Sequence, residues 1–465
     1  MAVLSSEGVE FETSVPVVVI GAGACGMTAA LTVADAGVEV LVLERDSVPQ
    51  GSTALSSGMI PACETHIQKA HGVKDTVDAM TTDILSKAHN ATDADMVKVL
   101  CQESGPAINW LTGTHGVELA LVDGFLYPNH SYLRMHAPAS RTGADLIGSM
   151  TQAVERAGVD LLTDSTVTDL FADTTGHISG IRFTRPDGTI ELLGCSALIL
   201  ACNGFGGNPE MVKQLIPDMA DANYFGHTGN QGEAIQWGEA LGAAMADLGS
   251  YQGHGSVAHP HGILISWALM MNGGIQVNIH GQRFSNEHQG YSEQGRRVIA
   301  EPGSIAWNIL DARLYKMGQG FEDFRQAVSA GALIKADTLS ELANKCGLPE
   351  DSLAATLSEN SELSSGQGTD SFGRDFTSKP HLQPPYYAVK VTGSLFHTQG
   401  GLVVDANARV LRPDNSPLPN LYAGGGAARG ISGPSDWGYL SGNGLLTAVA
   451  LGRIAGCSAV GLCSD

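Results

Sequence analysis

Residues 16–45 read PVVVIGAGACGMTAALTVADAGVEVLVLER, and this stretch decides the fold. An apolar run, Val17 to Ile20, has the pattern of a strand buried on both faces and leads straight into Gly21-x-Gly23-x-x-Gly26. Ala29, Ala30, Leu31, Val33 and Ala34 mark a helix that stops at Gly37, and Val38 to Leu43 form a second strand ending at Glu44. Each piece has a physical job: Gly21 makes the turn, Gly23 lets backbone approach a pyrophosphate, and Gly26 packs helix against strand. The helix N-terminus faces the phosphates, and Glu44 accepts hydrogen bonds from a ribose. Alone, GxGxxG is weak. Strand, glycines, helix, strand and acid in that order predict a dinucleotide site, although the fingerprint does not separate FAD from NAD.

Working outward, residues 51–62, GSTALSSGMIPA, form a second loop of small residues. Such a loop suits backbone passing close to a flat, buried ring. The chain has 465 residues and 58 glycines. Single cores stop growing at about 250 to 300 residues, so two domains, or one domain with a large insertion, are expected. The net charge of −22 repels phosphate backbones and anionic lipid, which argues against nucleic-acid and membrane partners. The start, MAVLSSEGVEFETS, has acids and no basic region before an apolar run, so a cytoplasmic protein is expected. Eight cysteines without CxxC spacing predict reduced core thiols and no metal site. No apolar stretch is expected to reach the ~20 uncharged residues of a membrane span.

Further along, the chain carries SALILACNGFGGNPEM (196–211), GQRFSNE (281–287), FHTQGGLVVD (396–405), LPNLYAGG (418–425) and GYLSGNGLLTAVALGRIAG (438–456). With the GAGACG fingerprint and the GSTALSSGM loop, these resemble, in order and over nearly the whole chain, the fumarate reductase/succinate dehydrogenase flavoprotein superfamily, which includes the 3-ketosteroid dehydrogenases. The resemblance implies an α/β fold: a Rossmann-like FAD-binding domain of the GR2 type, built from both chain ends, with an inserted α+β capping domain that closes over the flavin. The expected division is 1–251 and 396–465 for FAD binding and 252–395 for the cap. It also implies that FAD lies against Gly21, Gly23, Gly26, Glu44, Arg45, Ser52, Thr53, Ser57, Gly58, Val167, Gly424, Gly425, Asn443, Leu445 and Leu446. Gly143 to Ala157 reads as an amphipathic helix, Ile178 to Leu193 as a hairpin turning at Pro186-Asp187-Gly188, and Thr338 to Lys345 as a helix capped by Asp337. The stretch from Ser358 to Lys379 reads as a surface loop.

Departures from the family's patterns carry most of the functional information. Members that attach flavin covalently have a histidine where this chain has Ser52, so the FAD is expected to be non-covalent. Dicarboxylate-handling members carry arginines where this chain has Tyr291 and Tyr439. A site without those cations should not favour a doubly charged acid, because buried carboxylates need charge-assisted donors. Tyrosines there, and Tyr439-Leu440-Ser441-Gly442, resemble the ketosteroid dehydrogenases. That chemistry needs a base for an acidic proton alpha to a carbonyl, a hydride acceptor, and fixed donors for the carbonyl oxygen. The resemblance assigns the oxygen to the Tyr439 hydroxyl and a backbone N–H near Gly442, and the proton to Tyr291, with Ser441 as an alternative relay. Supporting groups are sought among Tyr127, Tyr132, Arg134 and His136. His397 matches a family histidine that helps bind a substrate carboxylate or carbonyl. Arg283 and Glu287 read as a structural pair, and Gly426 stands where the family often has an acid that contacts the ribityl chain.

The resulting expectation is an FAD enzyme that introduces a double bond alpha,beta to a ring ketone, on a 3-ketosteroid or a smaller ring such as 4-oxocyclohexanecarboxylate. Oxygen, a quinone or a carrier protein would reoxidise it. Two alternatives stay open: a fumarate- or urocanate-type reductase of an activated double bond, and a non-catalytic flavin-binding redox sensor.

Overall fold

In the computed structural model, which describes residues 1–464, β1 (Ala2–Ser5) is followed by β2 (Ser14–Ile20), α1 (Ala24–Asp35) and β3 (Val40–Leu43). Val17, Val18 and Val19 are fully buried, as a strand covered on both faces requires. After a helix over Gly143–Arg156 come β4 (Asp160–Leu162), β5 (Thr166–Ala172), β6 (Ile178–Thr184) and β7 (Ile190–Leu200). The predicted hairpin is β6–β7, with Gly188 left-handed at its turn.

A second compact unit comprises Pro217–Phe225 and Gln252–Phe396. It contains β8 (Tyr251–Ala258), β9 (Ile275–Val277), α2 (Tyr291–Ala300), β10 (Ala306–Asp311), β11 (Leu333–Ala336) and most of β12 (Tyr386–Thr398). Its seven-stranded sheet is organised on β12, which pairs antiparallel with β10 and β11. Asn223–Tyr224 pairs in parallel with Ser394 and Leu395, and so nine residues that the sequence grouped with the first domain belong here. Two more expectations change. Thr338, not Asp337, caps the helix Leu339–Cys346, accepting from the Glu341 N–H at 3.2 Å. The 358–379 stretch is not all surface: the helix Glu350–Ser364 runs into it, and Asp370, Arg374 and Phe376 are buried.

The chain returns to the first unit at His397 and adds β13 (Pro417–Ala423) and α3 (Asn443–Ser464). The nine-stranded sheet runs β1-β5-β6-β7-β2-β3-β4, with β13 also on β7. Its centre, β4-β3-β2-β7-β13, is parallel. α3 packs on α1, where a Cβ at Gly456 would lie 2.7 Å from the Ala29 carbonyl oxygen and one at Gly452 would overlap that of Cys25. Asn443–Cys463 has the length and apolarity of a membrane span, but Arg453 interrupts it, and 56% of its apolar window is buried within the protein.

Candidate active site

The site is built from loops at the ends of the parallel strands. β2 ends in Gly21, at φ +104°, where a Cβ would lie 2.6 Å from the Ala201 carbonyl oxygen. A Cβ on Gly26 would overlap the Gly21 carbonyl oxygen, so both positions demand glycine. Gly23 caps α1 without a side chain, and no acid stands in the helix's first turn. The positive end of the helix is thus open to an anion, except that Thr53 Oγ1 accepts from the Ala24 N–H at 3.0 Å. Glu44 is buried, and its two oxygens accept from the N–H groups of Ala22 (2.9 Å) and Asp46 (3.0 Å). Each carboxylate oxygen keeps a lone pair for a ribose hydroxyl. A pyrophosphate-linked adenosine therefore fits this cradle.

Other cofactor candidates fall into distinct environments. The Arg45 guanidinium pairs with Glu233 and donates to the Gly229 carbonyl, so it braces a neighbouring loop. Ser52 Oγ accepts from the side-chain amides of Asn203 and Asn230 at 2.9 and 3.0 Å. Ser57 is exposed; its neighbour Ser56 closes the turn, donating to the Thr53 carbonyl and accepting from the Gly58 N–H. Gly58 is left-handed against the Thr142 carbonyl. Val167 is buried in β5. Gly424 donates to the Leu200 carbonyl and Gly425 is left-handed, both packed on Cys25. Leu445 is half-buried and Leu446 is core, so only its backbone can face a ligand. At Gly426 a Cβ would overlap Asn203 Oδ1: the asparagine amide fills the space an acid would take.

Tyr439 lies just before α3 and is 7% exposed. Burial pushes its phenol up to about 12, opposed by hydrogen bonds from the N–H groups of Gly444 and Gly442 at the helix N-terminus. The ring meets that of His397 edge-on, with centroids 5.4 Å apart. Burial lowers His397 to about 4, so it is a neutral imidazole. A Cβ on Gly444 would lie 2.9 Å from the His397 ring. Behind the imidazole runs a buried chain: Asn443 Nδ2 donates to Ser432 Oγ (3.1 Å), Ser432 donates to Gln399 Oε1 (2.9 Å), and Gln399 Nε2 donates to His397 Nδ1 (3.0 Å). Nδ1 also lies 3.4 Å from the Thr398 carbonyl, which would need the opposite tautomer. The shorter contact is the better hydrogen bond and leaves the proton on Nε2. Gln399 stands in the FHTQGG motif without a role of its own assigned there, and Ser432 lies outside the motifs quoted above.

Gly442 is left-handed (φ +90°), with Pro61 Cδ 2.6 Å from where its Cβ would stand. Ser441 is buried, and its carbonyl accepts from His130 Nε2 at 3.0 Å. Among the supporting candidates, the Tyr127 hydroxyl donates to Met59 sulfur at 2.9 Å, and Tyr132 is 37% exposed, beside Arg134. His136 is spent between Thr65 and the Arg134 carbonyl. Arg134 corrects the expectation of a substrate contact: its fully buried guanidinium is held by both oxygens of Asp75, at 2.7 and 2.9 Å, and by Asp83. With its charge and donors used by two carboxylates, it is a structural strut.

In the second unit, Tyr291 opens α2 after Gly290. Its ring stacks on His254, with centroids 5.0 Å apart and planes 25° apart. His254 is lowered to about 3 by burial, and its Nδ1 accepts from the Ser256 N–H, so Nε2 carries the proton. Arg283 grips Glu287 through Nε (3.0 Å) and Nη2 (2.8 Å) and Asp370 through Nη1 (2.6 Å), while Arg374 reaches Glu287 at 3.0 Å. All four side chains are buried, and the guanidiniums lie on Phe376.

A family model described as "FAD binding domain" matches residues 16–445. A probable fumarate reductase of Shewanella frigidimarina is 30% identical over 451 residues, covering 95% of this chain and 74% of that protein. Among solved structures, the open conformation of a flavocytochrome c3 fumarate reductase matches with a TM-score of 0.82 at 29% identity, covering 98% of this chain and 79% of that one. The 3-ketosteroid-Δ4-(5α)-dehydrogenase of Rhodococcus jostii RHA1, in complex with 4-androstene-3,17-dione, matches with a TM-score of 0.79 at 25% identity, covering 99% and 100%. The chain belongs to the FAD binding domain family and is an FAD-dependent oxidoreductase of the fumarate reductase and ketosteroid dehydrogenase group.

Proposed function

We propose that this oxidoreductase introduces a double bond alpha,beta to a ring ketone, on a small cyclic ketone such as 4-oxocyclohexanecarboxylate in preference to a 3-ketosteroid. One observation carries the reading: Tyr439 is a buried phenol that stays neutral, with its oxygen on the Gly442 and Gly444 N–H groups. A phenol whose lone pairs take amide N–H groups directs its own O–H outward, which suits an uncharged carbonyl oxygen that gains charge as the alpha proton leaves. His397, neutral with its proton on Nε2, adds a second uncharged donor. The one buried arginine of this region, Arg134, is neutralised by Asp75 and Asp83. A dicarboxylate would find no charge-assisted partner among these groups.

FAD, held non-covalently by the cradle of Gly21, Gly23, Gly26 and Glu44, supplies at N5 the acceptor for the hydride that leaves the beta carbon. The substrate loses one proton from the alpha carbon and one hydride from the beta carbon, and the C=C bond forms between them. Tyr439 holds the carbonyl oxygen. Tyr291 is proposed on chemical grounds to take the alpha proton while passing its own phenolic proton on to water, its ring stacked on His254, with Ser441 as the alternative relay. Aromatic residues make up only 6% of the chain, which favours the smaller ring.

A second reading, a reductase of an activated double bond running the same steps backwards, draws on the 30% identity to a probable fumarate reductase. Anaerobic addition of 4-oxocyclohexanecarboxylate, a 3-ketosteroid or succinate to the purified yellow protein separates the two. Bleaching of the flavin by a ketone alone supports the desaturase; bleaching by succinate alone, or by nothing, overturns it.

A further inference from the structure

The Tyr439-Leu440-Ser441-Gly442 turn presents one peptide, Ser441–Gly442, in two directions. Its N–H reaches the Tyr439 phenol oxygen, and its carbonyl accepts from His130. A trans peptide is planar with C=O and N–H opposed, so whatever fixes the carbonyl also aims the N–H. His130 is 5% exposed, and a carbonyl can only accept, so the 3.0 Å contact requires the proton on Nε2. Its Nδ1 then presents a lone pair to Arg134 Nη1, 3.4 Å away, and that guanidinium is itself fixed by Asp75 and Asp83. The left-handed Gly442 gives the peptide no strong preference of its own, because glycine visits that region freely.

We propose that His130 is a positioning residue: braced by the Asp75–Arg134–Asp83 cluster, it holds the Ser441–Gly442 peptide so that its N–H stays on the Tyr439 oxygen and the phenol O–H is left to meet the substrate oxygen. The identity of that oxygen as a ketone rests on the function proposed above; the peptide's orientation does not. His130 acts through this peptide.

The test uses the FAD-loaded full-length protein and two variants. His130→Gln keeps an N–H donor at nearly the position of Nε2, and His130→Phe keeps the ring and removes the donor. Hydrogen exchange read by mass spectrometry on the segment 438–446 tests the orientation without any substrate. His130→Phe is expected to speed exchange there by about tenfold or more, and His130→Gln to stay near the native rate. Equal protection in all three proteins overturns the proposal. With the ketone that bleaches the flavin, His130→Phe should lower kcat by roughly 10²-fold with little change in KM, and His130→Gln should restore most of it. A merely structural histidine would lower thermal stability in both variants and leave kcat per folded molecule unchanged. If no ketone bleaches the native flavin, the functional reading falls, and the exchange result still decides the role of His130.

Discussion

Tyr439→Phe isolates the donor on which the functional reading rests. The substitution removes one oxygen and keeps the ring, so the edge-on packing against His397 survives. Two things are lost together: the O–H aimed at the carbonyl oxygen, and the acceptor that now satisfies the Gly442 and Gly444 N–H groups. Loss of one donor to a developing oxyanion costs about 10²- to 10³-fold in rate, or ~3 to 4 kcal/mol of barrier. The amides left behind can still turn to the substrate oxygen, which places the expected loss near the lower end, about 10²-fold. The assay is the anaerobic rate of flavin bleaching by the reactive ketone in a stopped-flow instrument, at saturating substrate. Because the phenol is held up to about 12, the native rate should also show no step from Tyr439 ionisation across neutral pH. A Tyr439→Phe rate within about threefold of native would refute the argument, since that corresponds to less than ~1 kcal/mol.

Other consequences can be checked on the folded state. Arg134→Gln leaves buried Asp75 and part-buried Asp83 without a counter-ion and should cost about 3 to 5 kcal/mol in urea unfolding; lost substrate affinity at intact stability would restore it as a ligand contact. His130, His136, His254 and His397 are held neutral, with values lowered from 6.5 to between about 3 and 4. The unfolded chain binds these protons first, so stability present above pH 6.5 is lost as the pH falls towards 4 or below. Unfolding titrations from pH 7 to 4 should show this loss, and His254→Phe should make it shallower. Gly442→Ala should cost on the order of 2 to 4 kcal/mol, from the left-handed φ and the contact with Pro61; a thermal shift near zero would mean that the turn is not rigid.

The dinucleotide fold was legible because its constraints are local. Gly26 is forced by the Gly21 carbonyl oxygen, five residues away, and Gly21 by its own left-handed backbone, and the buried valines of β2 announce a two-sided strand. What could not be read was where side chains of distant segments spend their charges. Arg134 looks available in sequence because Asp75 and Asp83 lie about fifty to sixty residues away, and only the fold brings them to it. His130 lies outside the quoted motifs and Gln399, though inside FHTQGG, has no role assigned there, since their value lies in which carbonyl or ring nitrogen they reach. Gly426 had a partial signal: an acid missing from LYAGGG hints that something else fills the space, and the fold supplies Asn203. The nine residues of Pro217–Phe225 were misplaced because a two-residue pairing leaves almost no pattern.

The interlocking of α1 with α3 has a consequence for biosynthesis. The two helices fit through glycines, and about 420 residues separate their starts. At translation rates of roughly 5 to 20 residues per second, α1 waits some 20 to 80 s on the ribosome before its partner emerges. During that time one side of α1 lies bare, while the unit containing Gln252–Phe396 has been made in full and can already fold. Vectorial synthesis therefore finishes the inserted unit first and the cofactor cradle last. Protease challenge of stalled nascent chains should find residues 252–396 resistant at a point where residues 16–45 are still cut.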